Sequence, residues 1–251
     1  MDVLATAKAR KLIEKYSITE PGQYSVNQII NAEGLAYREE LLTGCDGNII
    51  FNDHIGIVTV NSGIKEFTQK RFTAAHELGH FENERVRFKS CTFENIAGLK
   101  YSPKEAAAND FAAELLMHEP WFVNYVKDKK LEVKLLKDTA NYFNVSLSAT
   151  VIRYSEIGPR ECAIVMSKNG VIKWSVINKS FPHQFIRWGN KVSKLSYAYD
   201  IFEEKPYPED GEDVPAEAWF KESFYLKKDE RVMEFNIPFK NYSSVLTVLY
   251  Y

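Results

Sequence analysis

Cysteine is scarce. The three residues Cys45, Cys91 and Cys162 are far apart, odd in number and form no CxxC pair, which argues against a disulfide framework or a cysteine-based zinc finger. No run of residues is long and apolar enough to span a bilayer. The first sixteen residues, MDVLATAKARKLIEKY, alternate apolar and charged positions and lack the unbroken apolar centre of a signal peptide. Charge of one sign is also missing: 32 Lys and Arg against 34 Asp and Glu leave a net charge of -2, so no global field recruits nucleic acid or an anionic membrane. These absences predict a protein of a reducing cytoplasm with no membrane partner. A hydrophobic content of 45% in 251 residues is ample for a buried core.

The order of elements predicts an α+β chain. Val3, Leu4, Ala7, Leu12, Ile13 and Tyr16 share one helical face. A second helix starts at Ser25, with Gln28 completing a capping box, and stops at Gly34. Residues 36–60 turn strand-like, and NIIF with IGIVTVN reads as a hairpin about Asn52-Asp53. Helices follow from about Thr68 and from Ser102 or Pro103, and the pattern from Trp121 to Gly158 is again helical. Beyond Gly158-Pro159 come a hairpin about Asn169-Gly170, an exposed acidic loop EEKPYPEDGED, and strands in AWFKESFYL, RVMEFNIPF and SVLTVLYY. The expected division is a mostly helical domain with a small β-hairpin over 1–130, a helix-turn-helix-like segment over 131–158 and an α+β domain over 159–251.

The chemistry concentrates in RFTAAHELGH. His76 and His80 are four residues apart, so one helical turn stacks both imidazoles on one face, where they can share a divalent ion. Glu77 lies about 100° around the helix from His76 and can take a proton from water that such an ion has acidified. Gly79 costs about 1 kcal/mol relative to alanine inside a helix, so some other backbone, the hairpin strand being the candidate, is expected to approach there. A catalytic ion needs a third protein ligand. Glu105 is preferred because it opens the next helix among small residues, Ala106 to Ala108, with Glu114, Glu94 and His118 as alternatives.

RFTAAHELGH followed by EAAANDFAAELLM, with the IVTVN strand before and FNVSLSATVIR after, resembles the ImmA/IrrE family of bacterial metallopeptidases over about residues 25–158. The resemblance implies a gluzincin-like site with His76, His80 and Glu105 as zinc ligands, Glu77 as catalytic base and Asn109 as partner of a ligand histidine. The family's LLMP helix end is absent, since His118 stands where the proline is expected. Relatives cleave a helix-turn-helix repressor, so the resemblance implies a site-specific regulatory endopeptidase with such a repressor as partner. In some relatives the C-terminal region is GAF-like, so the resemblance implies either a small-molecule sensor or a packing or substrate-docking domain over 159–251.

Several expectations accompany this one. Substrate should pair with the edge of the strand holding Val58, Thr59 and Val60, and Tyr101, Arg71 or His118 should stabilise the oxyanion. Manganese could replace zinc in a His-His-Glu site. As alternatives, LKDTANYFNVSLSATVIR could bind DNA, with Lys134, Lys137 and Arg153 meeting phosphates, or the zinc could serve an interaction protein without proteolysis. The segment 81–102 has the length of a lid, in which Cys91 could silence the metal.

Overall fold

The computed structural model describes residues 1–51, 55–84, 88–91 and 102–251. They divide into two compact units, one of residues 1–125 with 140–149, the other of 126–139 with 150–251. No helix among them is long and apolar enough to cross a membrane.

The first unit opens with helix α1 (Val3–Lys15), capped by the Asp2 carboxylate on the backbone amides of Leu4 and Ala5. Its buried face is Ala5, Thr6, Ala9, Leu12 and Ile13, whereas Val3 and Leu4 are exposed, so the docking face is rotated from the one expected. Helix α2 (Val26–Ala32) carries the predicted capping box between Ser25 and Gln28. Gly34 follows at φ +80°, a left-handed turn that suits glycine.

Strands β1 (Leu35–Glu40), β2 (Gly47–Phe51), β3 (Gly56–Asn61) and β4 (Phe88–Cys91) form a sheet in the order β1-β3-β2-β4. The β2–β3 hairpin is antiparallel as predicted, and β1 joins β3 in parallel. That order corrects one expectation. Strand β3 lies between two partners and buries Val58, Thr59 and Val60, so its backbone groups are already paired and cannot receive a peptide. Among the described residues the outer strands of this sheet are β1 and β4.

Helix α3 (Phe67–Glu84) lies on β2 and β3, and α4 (Pro103–Leu116) packs against α3 and α1. Helix α5 (Glu119–Val126) follows, then α6 (Val133–Phe143) and α7 (Leu147–Ile157), each of which contributes residues to both units. Their connecting turn holds Asn144 at φ 52°, with the Val145 amide donating to the Ala140 carbonyl.

The second unit is built on an antiparallel sheet in the order β6-β5-β9-β8-β7, from β5 (Cys162–Lys168), β6 (Val171–Ile177), β7 (Glu212–Pro215), β8 (Arg231–Phe239) and β9 (Ser244–Tyr250). Short helices α8 (Tyr197–Phe202) and α9 (Glu217–Phe220) add Ala198, Trp219 and Phe220 to its core. The strand expected in AWFKESFYL is absent: Trp219 and Phe220 are adjacent rather than alternating, and both reach the core from one short helix. Cys162 is a free thiol that burial pushes up to about 12, so it acts as a small packed hydrophobe.

Candidate metal centre

Helix α3 brings His76, Glu77 and His80 to a fully enclosed position, with exposures of 0%, 0% and 1%. One helical turn sets the two imidazoles edge to face, with their Nε2 atoms 3.0 Å apart. From α4, Glu105 reaches both: Oε2 lies 3.3 Å from Nε2 of His76, and Oε1 lies 3.5 Å from Nε2 of His80. An ion bound tetrahedrally at about 2.0–2.1 Å spreads its ligand atoms about 3.3 Å apart. The three side chains therefore already stand at about the spacing of one coordination shell. No other cluster of three or more such groups occurs among the described residues.

The donor chemistry fits a divalent ion as well as the spacing does. Nδ1 of His76 lies 2.8 Å from Oδ1 of Asn109. That oxygen can only accept, so Nδ1 carries the ring proton and Nε2 is left with a lone pair toward the centre. Burial holds His76 below the usual histidine range, with Glu105 opposing and His80 reinforcing, so the neutral ligating form is favoured. Glu105 supplies the negative charge, from the first turn of a helix whose dipole favours a carboxylate there.

Gly79 explains how two helices come close enough to share this centre. A Cβ at position 79 would lie 3.1 Å from the carbonyl oxygen of Ala108 and 3.2 Å from its Cα. The backbone that approaches is thus α4, and not the hairpin strand that the sequence suggested. Gly79→Ala is expected to push α4 outward with Glu105 on it and weaken metal binding about tenfold, about 1.4 kcal/mol. Competition with a chromophoric chelator reads this directly, and unchanged affinity would show that the helices have slack.

The remaining sequence candidates fall elsewhere. Glu114 is fully buried but held by Arg10 Nε at 2.8 Å and by His118 Nδ1 at 2.7 Å. His118 follows the end of α4, about 20 Å along the helix axis from Glu105, too far to stabilise an oxyanion at the triad. Arg71 spends its guanidinium on the carbonyls of Phe143 and Asn144, at 2.7 and 2.8 Å, so it too is committed away from the centre. Tyr101 and Glu94 lie outside the described residues, as do the side chain of Cys91 and most of the lid segment.

Of the three phosphate contacts expected for DNA, the structure leaves Lys134 and Lys137 exposed and buries Arg153. Arg153 is 1% exposed and so withdrawn from any phosphate, and α7 also buries Thr150, Val151, Tyr154 and Ser155. Lys134 is exposed but paired with Asp138 at 2.6 Å.

Sequence reasoning missed the surroundings of Glu77. Gly47 of β2 lies against the side chains of both Thr73 and Glu77 of α3. The available signal was a glycine opening the strand, a residue that admits close approach of another element. It also missed the strapping by α1, whose Lys8 Nζ donates to the Glu82 carbonyl at 2.6 Å while Arg10 holds Glu114.

Comparison with known proteins agrees with this geometry. The chain has the fold of a solved Mycobacterium tuberculosis transcriptional regulator, with a TM-score of 0.64 at 12% identity, over 99% of this chain and 76% of that one. No curated protein matches the sequence. Residues 44–155 match the peptidase M78 family model, described as the IrrE N-terminal-like domain, and that span contains every residue of the triad. Over residues 44–155 the chain therefore matches the ImmA/IrrE family, the one its sequence motifs resemble.

Proposed function

We propose that this chain is a zinc-dependent endopeptidase of the gluzincin type, cytoplasmic and regulatory, whose substrate is a helix-turn-helix transcriptional repressor. The observation that carries the reading is the buried triad of His76, His80 and Glu105 with Glu77 on the same helical turn. Zinc suits two imidazoles and one carboxylate with a position left open, although manganese is compatible with the same donors. When bound, the ion supplies Lewis acidity toward water and the scissile carbonyl.

The chain's own residues do the rest. Glu77 accepts a proton from the attacking water and returns it to the leaving amine. Asn109 holds His76 in the tautomer that leaves Nε2 available. The outer strand β4 offers a place for an extended peptide. It pairs with β2, and no described strand lies beyond it. Gly47 of β2, in register with Cys91 of β4, is packed against Glu77, so this edge is one strand away from the base. The C-terminal sheet serves as a GAF-like sensor or a docking platform.

Elemental analysis tests the reading first. About one zinc per chain is expected in the wild type and none after His76→Ala or Glu105→Ala. Wild-type protein that stays metal-free after zinc dialysis would remove the peptidase reading. Metal-loaded protein that leaves every helix-turn-helix repressor of its own genome intact would remove only the substrate.

A further inference from the structure

We infer that Gly47 is a positioning residue for Glu77: the bare backbone of β2 forms the wall against which that carboxylate is aimed. The inference rests on the reading of Glu77 as the base. A Cβ at position 47 would lie 2.9 Å from Glu77 Oε1, 3.1 Å from Glu77 Cγ and 2.6 Å from Thr73 Cγ2. Real contacts are not this short, so any larger residue must move Glu77, Thr73 or the strand.

The strand has little room to retreat. Gly47 is paired with Val60 of β3 on one side and with Cys91 of β4 on the other. Its conformation does not call for glycine either, because it is absent from the glycines with positive φ. What glycine supplies here is space. Thr73 and Glu77 are both 0% exposed, so neither can swing into solvent to make way. They stand one helical turn apart on the face that meets β2. Glu77 is thus confined between Thr73, its own helix and the peptide backbone at Gly47, which narrows the rotamers open to its carboxylate.

The three heavy atoms closest to a Cβ at position 47 belong to Thr73 and Glu77, and none to the triad. A methyl group added there is therefore expected to spoil the direction of the carboxylate while leaving metal binding intact. That separation distinguishes a positioning role from a general packing role.

The test needs no natural substrate. The full chain is loaded with Co2+, and acetohydroxamic acid is titrated into it while the visible absorption is followed. This probe ligates the metal and passes its hydroxyl proton to a nearby base, so its affinity reads where the Glu77 carboxylate points. Gly47→Ala is expected to bind one Co2+ as the wild type does and to weaken the hydroxamate at least about tenfold. Glu77→Gln should weaken it similarly, and the double variant no further, since both act through one carboxylate. Where Gly47→Ala fails to fold, the same measurements are made with Thr73→Ser added, which removes the shorter of the two clashes and keeps that with Glu77. Hydroxamate affinity within threefold of wild type, additive losses in the double variant, or loss of Co2+ along with the hydroxamate would overturn the positioning role. Wild-type protein that takes up no Co2+ would overturn the metal-centre reading along with it.

Discussion

Glu77→Gln is expected to keep the bound metal and to lower the rate of repressor cleavage by about 10²–10⁴, the range over which general acid–base catalysis acts. The substitution preserves length and shape, so Gly47 and Thr73 meet the same outline. It also leaves His76, His80 and Glu105 in place, the three groups whose spacing matches a single ion. Only the capacity to take up a proton is lost. His80→Ala should behave differently and lose metal and cleavage together, because one of three ligands is gone. The pair of measurements, zinc per chain and cleavage rate, sorts ligand from base. Cleavage by Glu77→Gln at the wild-type rate would show that the proton goes elsewhere, and loss of its zinc would make Glu77 part of the ligand set.

The metal helix was legible in the sequence because its logic is local. A spacing of four fixes His76 over His80 in any α-helix, and Glu105 opens a helix whose start is marked by Ser102-Pro103. The two hairpins were legible for the same reason, each being a short loop between alternating strands. What escaped was decided by partners distant in sequence. Strand β3 looks like any half-apolar strand, and only the parallel return of β1 turns it from an edge into the middle of the sheet. Arg71 and His118 were suitable donors by type, but carbonyls of the α6–α7 turn claim one and Glu114 claims the other. Arg153 reads as a phosphate contact until its burial is known. In the second unit one of the two outer strands is Glu212–Pro215, which is acidic and ends in proline, as edge strands often are. An apolar-alternation reading passes over it and chooses the aromatic stretch of α9 instead. The glycines show the same division: Gly34 was readable as a helix stop, whereas Gly79 marked a close approach without naming the helix that makes it.

Replacing Glu234 by alanine is expected to destabilise the second unit by about 3–5 kcal/mol, the loss typical of breaking a buried polar network. Glu234 sits on β8 with 0% exposure, and its carboxylate gathers donors from two other elements and from its own strand. Trp219 Nε1 donates to Oε2 at 2.7 Å. Ser196 Oγ and the Ala198 amide donate to Oε1 at 3.0 Å, and Asn236 Nδ2 donates at 2.7 Å. Those contacts tie the N-terminus of α8 and the indole of α9 to the central sheet, so alanine would leave several buried donors without an acceptor. Glutamine should cost less, since one oxygen remains, but its amide must then face the Trp219 N–H. Burial raises the Glu234 carboxyl above the usual glutamate range, and the hydrogen bonds from Asn236, Trp219, Ser196 and Ala198 only partly counter it. The folded state therefore holds its proton to higher pH than the unfolded chain does. This contribution to stability is complete below the ordinary glutamate pKa, and it is lost as pH rises from there through the folded value. Urea unfolding followed by tryptophan fluorescence, compared between wild type and Glu234→Gln across that range, reads both effects. The glutamine variant should lack this component of the pH dependence. If its midpoint changes with pH as steeply as that of the wild type, the carboxyl is not the group that titrates. If the alanine variant unfolds at the wild-type urea concentration, the network does not hold the second unit together.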